Sequence, residues 1–176
     1  MSNQVAEKLI NFRVFDDKKM LLGTADVTLP ELSAMTDSVK GAGIAGEVEV
    51  PILGHYGSMQ VSITWRTLSS HTMDLAAPKA HQLEFRGAVQ IFDAGEGTYK
   101  TGSQKVVVKA VPKKTGLGKL DTAAAQDTSS EFEVNYIKVF LDGEEVFELD
   151  KYNYICKING HDYLADTRKA LGMERN

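Results

Sequence analysis

The chain has 176 residues, 43% of them hydrophobic and 25% charged, with a formal net charge of −4. That composition suits one globular domain with a single extended appendage, and its acidic balance argues against a phosphate-gripping surface of the kind built from clustered Lys and Arg, though not against a surface that nucleic acid passes without sticking. The single cysteine, Cys156, excludes an internal disulfide and points to a reducing compartment; Met1-Ser2-Asn3-Gln4 offers no apolar signal core, and no apolar run approaches the length of a membrane span, so no insertion by this chain is expected.

Leu9 to Phe15 reads as a short strand, Asp16-Asp17-Lys18-Lys19 as a tight charged turn, and Met20 to Leu22 as the start of the return. A strand over Thr24 to Leu29 places Ala25, Val27 and Leu29 on one face, and Pro30 stops the ladder or puts it on an edge. From Glu31 to Lys40 only Leu32, Met35 and Val39 are apolar, and Gly41-Ala42-Gly43-Ile44-Ala45-Gly46 follows. The glycines match G-x-G-x-x-G letter for letter. A dinucleotide site needs a buried strand before the first glycine and a helix from the last. Here Met35 to Lys40 is too polar for that strand, and Glu47-Val48-Glu49-Val50-Pro51 is extended, so no helix N-terminus meets a pyrophosphate. The segment 31–46 is instead expected to be an arm reaching beyond the core, with the glycines supplying the freedom of an exposed hairpin.

Gly57 to Trp65 is the clearest strand: Met59, Val61, Ile63 and Trp65 alternate with Ser58, Gln60, Ser62 and Thr64. Ser69 or Ser70 can cap a short helix in which Met73, Ala76 and Ala77 fall at helical spacing before Pro78. Gln82 to Asp93 is a long strand, with Leu83, Phe85, Val89 and Ile91 on one face and Gln82, Glu84, Arg86 and Gln90 on the other. A glycine-rich turn leads to a return strand over Gln104 to Val111, and 112–128 is a loop long enough to be mobile. Ser130 to Leu141 and Glu144 to Asp150 form a hairpin about Asp142-Gly143; Tyr152 to Ile158 is strand-like, and Asp162 to Leu171 suits a short helix. The expected fold is mainly β, an antiparallel sandwich or barrel with a short flanking helix and an extended hairpin arm, in a single domain over 1–176.

Chemistry is sparse. His55, His71, His81 and His161 do not pair at zinc-ligand spacing, and Ser69-Ser70-His71 lacks a nucleophile elbow. Glu47/Glu49 and Glu131/Glu133 each share a strand face but read as solvated faces. Cys156 lies in an aromatic, apolar segment as a buried thiol. No catalytic, cofactor or metal residues are assigned, and the chain is not expected to be an enzyme.

The run Val27-Thr28-Leu29-Pro30-Glu31-Leu32 with Gly41-Ala42-Gly43 resembles the major tail tube proteins of contractile-tailed phages, the FII type. Gly57 to Trp65 is similar to that family's strand before its helix, Phe132 to Leu149 around Asp142-Gly143 to its hairpin, Lys157-Ile158-Asn159-Gly160-His161-Asp162 to its Lys-x-Asn-Gly-x-Asp segment, and Arg168 to Gly172 to its C-terminal end. The likeness runs in order from Leu9 to Gly172, and 112–128 is unmatched. It implies a viral tail tube: homo-hexameric rings stacked into a tube inside a contractile sheath, conducting genomic DNA without specific binding. The implied partners are the tail sheath, tape measure, tail terminator and baseplate proteins, and the implied place is the virion tail, assembled in the host bacterial cytoplasm. R-type bacteriocins, extracellular injection systems and the Hcp tube of type VI secretion share the architecture.

Two site expectations follow. In a tube the polar face of the ring-forming sheet meets water and DNA, so Gln60, Ser62, Thr64, Glu84, Arg86, Glu131, Glu133 and Asn135 are the candidates to line the lumen, with Glu84, Glu131 and Glu133 repeating as acidic rings. Asp37, Gly41, Gly43, Ile44 and Gly46 are the candidates for an inter-subunit arm. The competing readings are a monomeric β-sandwich that binds carbohydrate or protein and a small β-barrel enzyme.

Overall fold

A computed structural model describes residues 3–173 and leaves the side chain of Ala25 undescribed; Met1 and Ser2 of the polar N-terminal stretch lie outside these residues. Four long antiparallel strands dominate: β1 (Gln4–Asp16), β7 (His81–Asp93), β8 (Thr98–Gly116) and β9 (Thr128–Leu141), adjacent in the order β9-β8-β7-β1. β1 turns through Asp17 and Lys18, both at positive φ, into β2 (Lys19–Leu21), and Leu22-Gly23 leads on into β3 (Thr24–Thr28). β3 pairs with β6 (Gln60–Trp65), and β6 pairs with the first half of β9. The path runs from β9 through β8, β7 and β1 to β2, passes along Leu22-Gly23 to β3, and returns by β6 to β9, a barrel whose hydrogen bonding is interrupted between β2 and β3 among the described residues. The Arg66 amide donates to the Gly23 carbonyl at 2.9 Å, one step beyond the Thr24–Trp65 pair.

β9 serves two partners along one edge. Its residues 128–133 pair with β6 and its residues 136–141 with β10 (Glu144–Asp150), which carries β11 (Ile155–Ile158) and the two-residue β12 (His161–Asp162). The change of partner coincides with a bulge: Lys109 faces Tyr136, but Ala110 faces Val134, so Asn135 is the inserted residue. Its carbonyl accepts from the Lys151 amide at 3.2 Å.

Alternation sends one side chain in two inward. Val14, Val61, Ile63, Trp65, Leu83, Phe85, Val108, Ala110, Phe132 and Val134 fill the interior. Trp65 is 1% exposed and donates its indole N–H to the Ser130 hydroxyl at 3.1 Å, so the one polar atom of that large side chain is satisfied inside the barrel. The helix α1 (Ser70–Asp74) is capped by Ser69 through a reciprocal pair with Thr72, and it turns Thr72 and Leu75 inward. Met73 of the expected apolar spacing is exposed, because Leu75 and not Met73 points into the barrel. A second helix, α2 (Ala165–Ala170), follows the buried Leu164 near the C-terminus.

Several strand boundaries differ from expectation: β8 begins at Thr98 and not at Gln104, and Tyr152 to Tyr154 form a turn that leaves only Ile155 to Ile158 as strand. β8 continues through Pro112 to Gly116, so the connector read as 112–128 is irregular only over 117–127. Proline is tolerated because a register shift falls between Pro112 and Lys114. That connector is tied down: Lys119 N–H donates to the Gln126 carbonyl, Gln126 N–H to the Arg66 carbonyl, and the Gln126 side chain reaches Leu68 and Leu117. β1 begins at Gln4, five residues before its apolar stretch, because β7 supplies it with hydrogen-bond partners whatever its side chains.

Candidate assembly and channel surfaces

Residues paired across strands share a face, so the registers define the outer surface of the wall. On the four long strands that surface carries Arg13 and Phe15, then Gln82, Glu84, Arg86, Ala88 and Gln90, then Thr101, Ser103, Lys105, Val107 and Lys109, then Tyr136, Lys138 and Phe140. Gln60, Ser62, Thr64, Glu131 and Glu133 continue it at the β6 end. Of the polar-face residues read from the sequence, Gln60, Ser62, Thr64, Glu84, Arg86, Glu131 and Glu133 lie together on this one face of the sheet. Asn135 is the exception, because as the bulge residue it belongs to neither alternating series.

The structure does not gather the predicted acids. Glu133 lies at the β6 end, where the Ser58 hydroxyl donates to it and Lys113 pairs with it at 3.6 Å. Glu84 lies at the other end, paired with Arg86 two residues along its own strand, in a row that includes Val107 and Lys138. The acidic character of Glu84 is thus offset by Arg86 of its own strand, and that of Glu133 by Lys113 of β8.

Beside this face Lys138 pairs with Glu145 at 2.9 Å, and Glu148 lies between Lys138 at 3.9 Å and Lys157 at 3.7 Å. The Tyr136 hydroxyl donates to Glu148 at 3.0 Å; burial first, and then that carboxylate, push the phenol well above its ordinary range. The Glu145 carboxyl is held below its usual value chiefly by its bond to Lys138. Among the described residues no group of three or more His, Cys, Asp or Glu is placed to hold a metal ion. Cys156 is buried, and burial raises its thiol pKa, which leaves it in the unreactive protonated form at neutral pH.

The arm is a two-stranded hairpin of β4 (Ala34–Lys40) and β5 (Glu47–Tyr56), longer than 31–46 because β5 supplies its second strand. The turn between them places Gly41, Gly43 and Gly46 at φ +144, +86 and +113, and Ile44 N–H donates to the Gly41 carbonyl. One face pairs Val39 with Val48 and Asp37 with Val50. The other is polar: Thr36 donates to Glu49 at 2.5 Å and Ser38 to Glu47. Every residue from Ala34 to Leu53 is exposed. The root is clamped where Gly57 N–H donates to the Ser33 carbonyl and Lys151 Nζ to the Gly57 carbonyl, at 2.8 and 2.6 Å. Gly54, at φ +65, lies so close to Leu164 that a Cβ there would come within 2.6 Å of it.

Among the described residues, two stretches of edge on the wall of long strands are unpaired. β1 bonds β7 along its length but meets β2 only over 14–16, which leaves the opposite edge of 4–13 open. β8 meets β9 only from Gln104 on, and Asp142 caps Ser103, which leaves 98–102 open on that side.

A family model described as phage tail tube protein FII matches residues 6–172. The chain belongs to the phage tail tube protein FII family. A protein of Escherichia phage P2 named tail tube protein is 32% identical to it over 161 residues, covering 84% of this chain and 86% of that protein. Among solved structures, a chain of an extracellular contractile injection system, the PVC sheath/tube terminator in its extended state, superposes with a TM-score of 0.55 over 77% of this chain and 97% of its own, at 10% identity; at that identity the likeness is one of fold. The family match spans every element from β1 to α2, the arm and the 117–127 connector included.

Proposed function

We propose that this chain is the subunit of a contractile tail tube, in which hexameric rings stack into a hollow tube enclosed by a sheath and conduct DNA during ejection. The observation that carries the reading, beside family membership, is the pair of open edges on the long-strand wall. Unpaired N–H and C=O groups along 4–13 on one side and 98–102 on the other are an association liability in a lone subunit, and they are satisfied when one subunit's sheet continues into the next. Edges that differ make the contact heterologous, and such a contact closes into a ring when its rotation permits. The polar wall face, with Glu84 and Arg86 on the long strands and Gln60, Ser62, Thr64, Glu131 and Glu133 toward β6, then faces the channel. Tape measure, terminator, baseplate and sheath proteins are the partners of such a tube, and the virion tail is its place.

The arm supplies the contact between subunits or rings. A two-stranded hairpin is marginal in water, and this one shows Val39, Val48 and Val50 to solvent, so a surface on a neighbour covers it. Deleting 37–46 should leave a folded β protein, by circular dichroism, that makes no tubes under negative-stain microscopy. Tubes of normal length from that deletion would refute the role of the arm. A strictly monomeric full-length chain at high concentration would refute the tube reading and favour a monomeric binding module.

A further inference from the structure

The chain is acidic overall, but its long-strand wall is not. Arg13 faces Arg86 across β1 and β7, and Arg86 faces Lys105 across β7 and β8, so three cations stand side by side in one cross-strand row. Lys109 lies on the same face, opposite Gln82. Like charges directly opposite one another destabilise a sheet, and the fold does little to offset them here. Glu84 pairs with Arg86, but among the described residues no carboxylate lies within ion-pair distance of Arg13, Lys105 or Lys109. Their neighbours are soft, uncharged groups: Arg13 Nη1 lies 3.3 Å from the Met20 sulfur, Lys105 Nζ 4.3 Å from the centre of the Phe140 ring, and Lys109 Nζ 5.2 Å from that of Tyr136. Such contacts hold a cation in place without neutralising it. Arg13 and Arg86 of the row line an open trench of about 720 Å³ whose other walls include Asn11, Thr101, Ser103 and the Asp142 carboxylate, which is engaged by the Ser103 amide at 2.8 Å.

We infer that the Arg13–Arg86–Lys105 row is a phosphate-contacting band, at which nucleic acid facing this wall makes salt-dependent backbone contacts. The inference rests on the reading of the wall as the channel lining, and it changes the expected character of that lining from acidic rings to a basic band. The contacts are to phosphate oxygens, carry no sequence information, and act by releasing counterions from the nucleic acid. One row per subunit offers two contacts if Glu84 keeps Arg86 engaged and three if it does not. Repeated around a ring, that is enough to retard a duplex at low salt and to release it as ionic strength rises.

The test is fluorescence anisotropy with a labelled 20-base-pair duplex and the full chain, diluted until sedimentation shows it unassembled. With two or three phosphate contacts, affinity should fall about 12- to 42-fold between 50 and 200 mM salt, and for R13Q/K105Q by no more than about 3.5-fold. K119Q/K169Q, which removes the same charge from the connector and from α2, should keep the wild-type slope. No binding at 50 mM salt, a wild-type slope in R13Q/K105Q, or displacement of the duplex by poly-glutamate at equal charge concentration would each overturn the inference. A tube map at side-chain resolution separates its failure from that of the channel reading. Arg13 and Lys105 pointing away from the lumen overturn the channel reading whatever duplex binds, and Arg13 and Lys105 in the lumen without duplex binding overturn the phosphate contact alone.

Discussion

Trp65 is the strongest point at which to test the barrel. Its side chain is 1% exposed, in the interior row with Val61 and Ile63, and its indole N–H ends on the buried Ser130 hydroxyl. Truncation to alanine removes an aromatic group that buries on the order of 200 Å², about 5 kcal/mol of transfer free energy at 25 cal/mol per Å². It also strands the Ser130 hydroxyl. Relaxation of the barrel recovers part of this, and an expected net loss of about 3–5 kcal/mol is a large share of the stability of an ordinary domain. For a chain of this length each kcal/mol lowers the Tm by roughly 2–4 °C, so W65A should melt about 6–20 °C below wild type. Far-UV circular dichroism on the unassembled chain is the assay, because the substitution removes the tryptophan signal. W65F separates the terms: it keeps most of the apolar volume and should cost about 1–3 kcal/mol, mainly through the unpaired Ser130 hydroxyl. A Tm for W65A within 2 °C of wild type, at an unchanged urea m-value, would refute the packed interior.

Asp93 at the end of β7 accepts from Lys100, Gln4 and the Gly95 and Glu96 amides, and its bonds to Lys100 and Gln4 hold its pKa down to about 2. A carboxyl depressed from about 3.9 in the unfolded chain contributes stability that is full above that value and is lost as pH falls toward 2. The Tm difference between wild type and D93N should therefore be constant from pH 5 to 8 and close between about pH 4 and 2; a difference that persists undiminished at pH 2 would contradict the charge-based account. Gly118 sits at φ +76 with the Gln126 carbonyl oxygen 2.2 Å from where a Cβ would be. G118A should cost at least about 1–2 kcal/mol and expose the 117–127 connector to limited proteolysis, and a protease-resistant G118A with wild-type melting would show the connector to be held otherwise.

Local pattern accounts for much of what was legible in the chain. Alternation placed Val61, Ile63 and Trp65 against Ser62 and Thr64, and Leu83 and Phe85 against Glu84 and Arg86, because a strand's side-chain period of two is visible in any stretch whose faces differ in polarity. The hairpins at Asp142-Gly143 and Asn159-Gly160 were legible because these residue types accept positive φ, here +49 and +82 in one turn and +49 and +83 in the other. The glycine-rich arm was legible for the same reason. The N-terminal half of β1 and the run of β8 through Pro112 were not, because their strand state comes from partners, β7 and β9, and not from their own composition.

The candidate site divides along the same line. That Glu84 and Arg86 lie on a polar strand face follows from alternation within one strand. That Arg13, Arg86 and Lys105 form one row does not, because register between strands is set by the whole ladder of hydrogen bonds and by the bulges in it. Asn135 shows how sharp this dependence is: one inserted residue takes it out of the alternation shared by Glu131 and Glu133 and brings Tyr136 and Lys138 onto the wall face in its place. Hydrophobic period and turn chemistry are short-range and are written in neighbouring residues, so the chain alone determined its β class, its hairpins and its arm. The electrostatic character of the wall depends on which distant strands lie side by side, and only the folded sheet settles that.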